Sequence, residues 1–94
     1  MKGKSILKVP GGKLLKIFLE YDDKIRKIKI TGDFFMHPEE SLDKLEKELI
    51  GLKLDKEIIL IKVDEFLKKK NVKLFGLESK DIVEGILKCK NSDY

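Results

Sequence analysis

Residues 13–32 read KLLKIFLEYDDKIRKIKITG, two stretches of apolar alternation on either side of an acidic break. Alternation with a period of two marks a strand that buries one face. If Asp23-Lys24 is a two-residue loop, Leu19 lies opposite Ile28, Ile17 opposite Ile30 and Leu15 opposite Gly32, while Glu20 meets Lys27 on the other face. A slip of one residue would set Leu19 against Lys27 or Lys29 and spoil both faces, so the pattern selects its own register. In this register Arg26 shares the apolar face, and Lys27 and Lys29 share the other with Phe18. The loop lacks the Asn-Gly or Asp-Gly pair of the tightest hairpins, which leaves a slightly longer turn open.

Working outward, residues 5–9 read as a further short strand that ends at Pro10-Gly11-Gly12. Proline presets the first corner of a turn and glycine tolerates positive φ at the next. On the other side three helices follow. Pro38 suits a first helical position, with Glu39 and Glu40 where a helix start favours negative charge. Leu42, Leu45 and Leu49 form the stripe of that helix, Glu40–Lys44 and Asp43–Lys47 are favourable pairs on its wet side, and Gly51 ends it. Asp55 caps a second helix that runs to about Lys70, with Ile59, Val63, Phe66 and Leu67 inward; Ile58, Leu60 and Ile61 widen its apolar surface toward a second buried side, against a partner or against the sheet. Residues 72–77 are an extended link. Ser79 caps the last helix, whose Ile82, Val83, Ile86 and Leu87 face inward, and residues 90–94 form a frayed tail. Three strands followed by three helices predict an α+β domain spanning residues 1–94, an ordered core at about 5–89, and a three-stranded antiparallel sheet with the helices on one face.

At 41% hydrophobic residues the 94-residue chain has enough apolar material for a core, which excludes general disorder. The 40% charged fraction, mostly Lys and Glu beside many Ile, is one route to heat stability and leads us to expect a thermophilic source. The net charge of +4 arises from 21 basic and 17 acidic residues that alternate rather than form blocks. The run Lys68-Lys69-Lys70 falls at a helix end, where cations favour the carbonyl terminus. The single cysteine, Cys89, excludes an internal disulfide and a multi-cysteine metal site. Nothing marks the chain for secretion or membrane insertion, so a cytoplasmic location is expected.

No nucleophile motif, triphosphate loop or dinucleotide fingerprint is present. Pro10-Gly11-Gly12-Lys13 lacks the spacing and the Lys-Ser/Thr ending that hold a triphosphate. It is a plain hairpin turn or a contact loop, whose flanking Lys8 and Lys13 are placed to reach an anionic ligand held by another protein. Gly32-Asp33-Phe34-Phe35-Met36-His37-Pro38 is the least ordinary stretch. As structure, Phe34 or Phe35 anchors the sheet-to-helix corner, Asp33 satisfies turn amides and His37 falls at the cap of the first helix. As function, exposed aromatics there form a docking patch; a lone histidine without Cys or a second His makes a poor metal site. Stacking of nucleic acid bases needs a concentrated basic and aromatic face, and Lys27, Lys29 and Phe18 supply a modest one.

Two stretches, Lys8-Val9-Pro10-Gly11-Gly12-Lys13-Leu14 and residues 28–40 (IKITGDFFMHPEE), are joined by a hairpin with an acidic turn and followed later by Leu74-Phe75-Gly76-Leu77. In this order the sequence resembles the C-terminal domain of lipoate–protein ligases, in particular the archaeal form found as a separate small subunit. The resemblance implies a non-catalytic accessory subunit, paired as a heterodimer with a catalytic large subunit that binds lipoate, ATP and magnesium. That subunit forms lipoyl-adenylate and lipoylates an acceptor, a 2-oxoacid dehydrogenase E2 component or glycine-cleavage H protein. It implies no cofactor on this chain alone, and a fold similar to iron–sulfur scaffold and sulfur-acceptor proteins. The residues carried over are Lys8, Pro10, Gly11, Gly12, Lys13, Gly32, Asp33, Phe34, Phe35, His37 and Pro38, in docking and ordering the partner's site, with Lys13 near the charge of the adenylate. Two rivals stand beside it. A sulfur-transfer scaffold needs loop cysteines, and Cys89 lies late in a helix; a protein- or nucleic-acid-binding module unrelated to lipoylation is the other alternative.

Overall fold

The hairpin forms in the expected register: Leu15 pairs with Gly32, Ile17 with Ile30, Leu19 with Ile28 and Glu20 with Lys27. The computed structural model describes residues 1–11 and 13–91. It carries strands β1 (Lys2–Val9), β2 (Lys13–Tyr21) and β3 (Ile25–Gly32) as one antiparallel sheet in the order β1-β2-β3. Beyond Glu20 the two-residue loop gives way to a bulge, because Tyr21 pairs with Ile25. The Asp22 carboxylate accepts the Lys24 amide at 2.9 Å and the Arg26 Nε at 3.0 Å, which holds a three-residue turn and draws Arg26 outward. Arg26 is therefore exposed, and the fully buried Ile25 takes the place on the apolar face that alternation had assigned to it.

The strand Phe35–His37 (β4) pairs antiparallel with Lys73–Phe75 (β5) as a second, two-stranded sheet, so the link at 72–77 is not merely extended. This pairing keeps the chain extended through His37. Helix α1 accordingly spans Ser41–Leu49, and Pro38 lies in the turn before it, where its carbonyl accepts the Ser41 amide at 3.0 Å. Helix α2 (Lys56–Lys69) starts as expected, with the Asp55 side chain accepting from the Ile58 amide at 3.0 Å. Asn71, with φ 51°, turns the chain beyond it. Helix α3 (Ser79–Lys88) is capped one residue earlier than Ser79: Glu78 is the N-cap, and its amide donates to the Asp81 carboxylate at 2.8 Å. The tail begins with a 3-10 turn, Cys89–Asn91; residues 92–94 lie outside the described residues.

Helix α3 lies on β1 and β2, α1 lies against β3, and α2 packs on both helices. Leu15, Ile17, Leu19, Ile28 and Ile30 meet Leu45, Leu49, Ile59, Val63, Ile82, Val83 and Ile86 in one core. Each such fully buried side chain contributes roughly 1.5–3 kcal/mol relative to exposure. Glycine brings the layers together. A Cβ on Gly3 would overlap the Cys89 carbonyl oxygen, and one on Gly85 would stand 2.8 Å from Ile17 Cδ1. Ser5 Oγ donates to the Gly85 carbonyl at 2.7 Å, fastening α3 to β1.

The outer side of β3 is closed as well. The Ile30 amide donates to the buried Glu46 carboxylate at 2.7 Å, the Ile25 amide to the Leu52 carbonyl at 2.8 Å, and Gly51 donates to the Ile25 carbonyl at 2.7 Å. On α2 the second apolar side is not covered: Ile58 and Ile61 stay exposed. Among the described residues no helix is long and apolar enough to cross a membrane.

Candidate functional site

The β1–β2 turn, the exit of β3 and the exit of β5 converge at one end of the sheet. Gly32, with φ 151°, sits so close to β2 that a Cβ would overlap the Leu14 carbonyl oxygen, and the next amide, Asp33, donates to that oxygen at 2.9 Å. Only glycine makes this approach without strain. The aliphatic stem of Lys13 lies along Gly76, where a Cβ would come 3.3 Å from its Cγ. Lys13 is thus seated on the β5 exit, though it is far from Gly76 in sequence. Gly11, with φ 98°, and Pro10 form an exposed turn; Gly12 lies outside the described residues. Pro10 and Gly76 share the wall of a 590 Å³ hollow with the start of α3, including Glu78 and Lys80.

The β4–β5 ribbon sorts its side chains by alternation. Met36 turns into the core, whereas Phe35 and His37 turn out. Phe35 stacks on His37 with centroids 6.4 Å apart and tilts against Phe75 at 6.1 Å. Phe35 and Phe75 remain 47% and 51% exposed and together form an apolar patch on the surface.

The structure therefore gathers Gly32 and Asp33 around the Leu14 carbonyl, seats Lys13 along Gly76, and brings Phe35 and His37 together in the aromatic ribbon. Phe34, half-buried against the core, is the corner anchor. Lys8 stands apart, on the outer face of the sheet across from Leu14. Two expectations fail: His37 ends β4 rather than capping α1, and Pro38, joined to it by a cis peptide, precedes α1 instead of opening it. The β4–β5 pairing is the reason for both. Phe75 and Gly76 were missed as site residues; their signal was an aromatic next to a glycine in a segment too short for alternation to identify as a strand.

Among the described residues no group of three or more His, Cys, Asp or Glu is placed to hold a metal ion. Cys89 is buried, its Sγ 3.6 Å from Ser5 Oγ, and burial pushes its thiol above the ordinary range against the opposing effect of Ser5. Such a thiol is poorly suited to accept or carry sulfur. What the surface offers is apolar stacking, a lysine and glycine turns that another backbone can approach closely. The whole is a small α+β domain with an antiparallel sheet and three helices.

The chain belongs to the family described as bacterial lipoate protein ligase C-terminus, whose model matches residues 7–86. It is 34% identical, over 77 residues, to lipoate-protein ligase A subunit 2 of Thermoplasma acidophilum, covering 78% of this chain and 76% of the relative. It superposes with a TM-score of 0.80 and 31% identity on a chain from the solved structure of an archaeal lipoylation system, a bi-partite lipoate protein ligase and its E2 lipoyl domain, from the same organism. That match covers 92% of this chain and 94% of the other.

Proposed function

We propose that this chain is the non-catalytic accessory subunit of a two-part lipoate–protein ligase. The observation that carries this reading is the nearly full-length match to a chain of a bi-partite ligase, together with the relative described as subunit 2. In this reading lipoate, ATP and magnesium are bound by a catalytic partner in the cytoplasm, where lipoyl-adenylate forms before transfer to an E2 or H-protein lysine. The fold is then one shared with iron–sulfur scaffold proteins but used without their chemistry, since the lone Cys89 is buried.

The aromatic ribbon and the glycine turns supply the contact. Phe35 and Phe75 are anchors of the kind that dominate interface energetics. Docking accelerates activation by binding the adenylation-competent conformation of the partner more tightly than its other states; each tenfold shift in that equilibrium needs about 1.4 kcal/mol of differential affinity. In this reading Lys13, whose stem lies along Gly76, contributes its ammonium to the charge that develops on the adenylate.

The test is reconstitution. This chain, the catalytic subunit, lipoate, ATP and magnesium should yield lipoyl-adenylate faster than the catalytic subunit alone. Phe35→Ala with Phe75→Ala should weaken the complex by at least about tenfold, and Lys13→Ala should slow adenylation without loosening the complex. A catalytic subunit that runs at full rate without this chain, or lipoyl-adenylate made by this chain unaided, would end the proposal.

A further inference from the structure

The face of the three-stranded sheet opposite the helices is uncovered by any described element, and its composition is lopsided. Its cross-strand rows read Lys2–Glu20–Lys27, Lys4–Phe18–Lys29, Ile6–Lys16–Thr31 and Lys8–Leu14. Every row contains lysine, and among these described residues Glu20 is the single carboxylate. Strands about 4.8 Å apart and rows about 6.8 Å apart place neighbouring lysines at about one Debye length, roughly 8 Å at physiological salt, so their potentials overlap. Glu20 pairs with Lys27 at 3.8 Å and offsets that one lysine, leaving the field to the lysines of the other rows. Phe18, 41% exposed, and Ile6, 62% exposed, supply an apolar foothold among the charges. Beside Phe18 lies a shallow hollow of 340 Å³, walled by Lys2, Glu20, Lys27 and Lys29.

We infer that this face receives an acidic protein surface, that of the domain whose lysine accepts the lipoyl group; the inference rests on the ligase reading above. Charge complementarity selects the sign of the partner. Permanence selects which partner: lasting subunit interfaces are apolar, the character of the exposed Phe35–Phe75 ribbon, whereas a field of lysines suits an encounter that must form and dissolve each turnover. Nucleic acid fits less well. Among the described residues the face holds one aromatic for stacking, lysines rather than the forked guanidinium groups of arginine, and a carboxylate on its middle strand.

The experiment uses the full chain assembled with its catalytic subunit, carrying Lys4→Glu, Lys16→Glu and Lys29→Glu, with the pairs Lys4→Glu/Lys16→Glu and Lys16→Glu/Lys29→Glu as substitutes should the triple variant not fold. Lipoyl-adenylate formation without acceptor and transfer to a purified lipoyl domain are read separately. Adenylation should be unchanged, while kcat/KM for the acceptor falls at least about tenfold at low salt and converges with the unaltered complex at high salt. Replacing acidic surface residues of the acceptor by lysine should restore transfer to the triple variant. Transfer that is unaffected overturns the inference. So does a parallel loss of adenylation, which would give this face to the catalytic subunit, and so does retention of the complex on a single-stranded oligonucleotide that the lipoyl domain cannot displace. An unaltered chain that fails to stimulate adenylation at all would instead refute the ligase reading itself.

Discussion

The two faces of one sheet obey different rules, although they are built from alternate residues of the same three strands. On the helix side Leu15, Ile17 and Ile30 are wholly buried, and contacts are so close that a single methyl on Gly3 has no room. On the other side Ile6 and Phe18 stay wet among lysines. The inner face is governed by volume, the outer by charge. Substitutions should therefore sort by face, not by position along the strand, and neighbours in sequence should behave as strangers.

The sharpest contrast is between Lys16 and Ile17. Ile17→Ala should lose about 2–5 kcal/mol through lost transfer energy and an unfilled cavity, whereas Lys16→Ala should stay within about 0.5 kcal/mol. Urea titration of both variants decides it, and equal losses would abolish the distinction. Gly3→Ala should come next, at about 1–3 kcal/mol, since its methyl meets backbone at Cys89 and not a side chain free to swing away. Glu46→Leu should lose about 1–3 kcal/mol by orphaning the Ile30 amide, while Glu46→Gln keeps an acceptor and retains most of the stability.

The smallest effect belongs to Asp22 at the wet end of the hairpin. The Lys24 amide, and then the Arg26 guanidinium, hold its carboxyl down from the ordinary 3.8 to about 2. With the folded value below the unfolded one, the contribution is complete above about pH 4 and disappears as pH falls through 2. A carboxyl NMR titration of the native chain should give the low value, and Asp22→Asn should flatten that limb of the stability profile. Being fully exposed, the group should respond to salt.

Alternation made the hairpin register legible because slipping Leu19 by one residue damages two faces at once. The same signal misled at Arg26. A bulge shifts the pattern by one residue, and its trace, the three-residue step from Ile25 to Ile28 followed by the two-residue step to Ile30, was present in the sequence. β4 and β5 pair only three residues each, too few for any period to show, and their pairing displaced the start of α1 from Pro38. Glu46 was invisible for another reason. It occupies the apolar stripe beside Leu45 and Leu49, but a carboxylate there is read as solvated until the strand amide that needs it is in view. Of the candidate site, the turn glycines and Phe35 could be read locally; Lys13 beside Gly76 and Phe35 beside Phe75 are products of the fold.

Glu46 has a wider consequence. By occupying the Ile30 amide, with Gly51 and Leu52 engaged at Ile25, it removes the free ladder that an extended segment of another molecule would need to join the sheet along β3. Strand exchange and fibre-like stacking are blocked on that flank. Any companion arriving there must recognise side chains instead of main chain, and recognition of that kind can be released without unzipping the host.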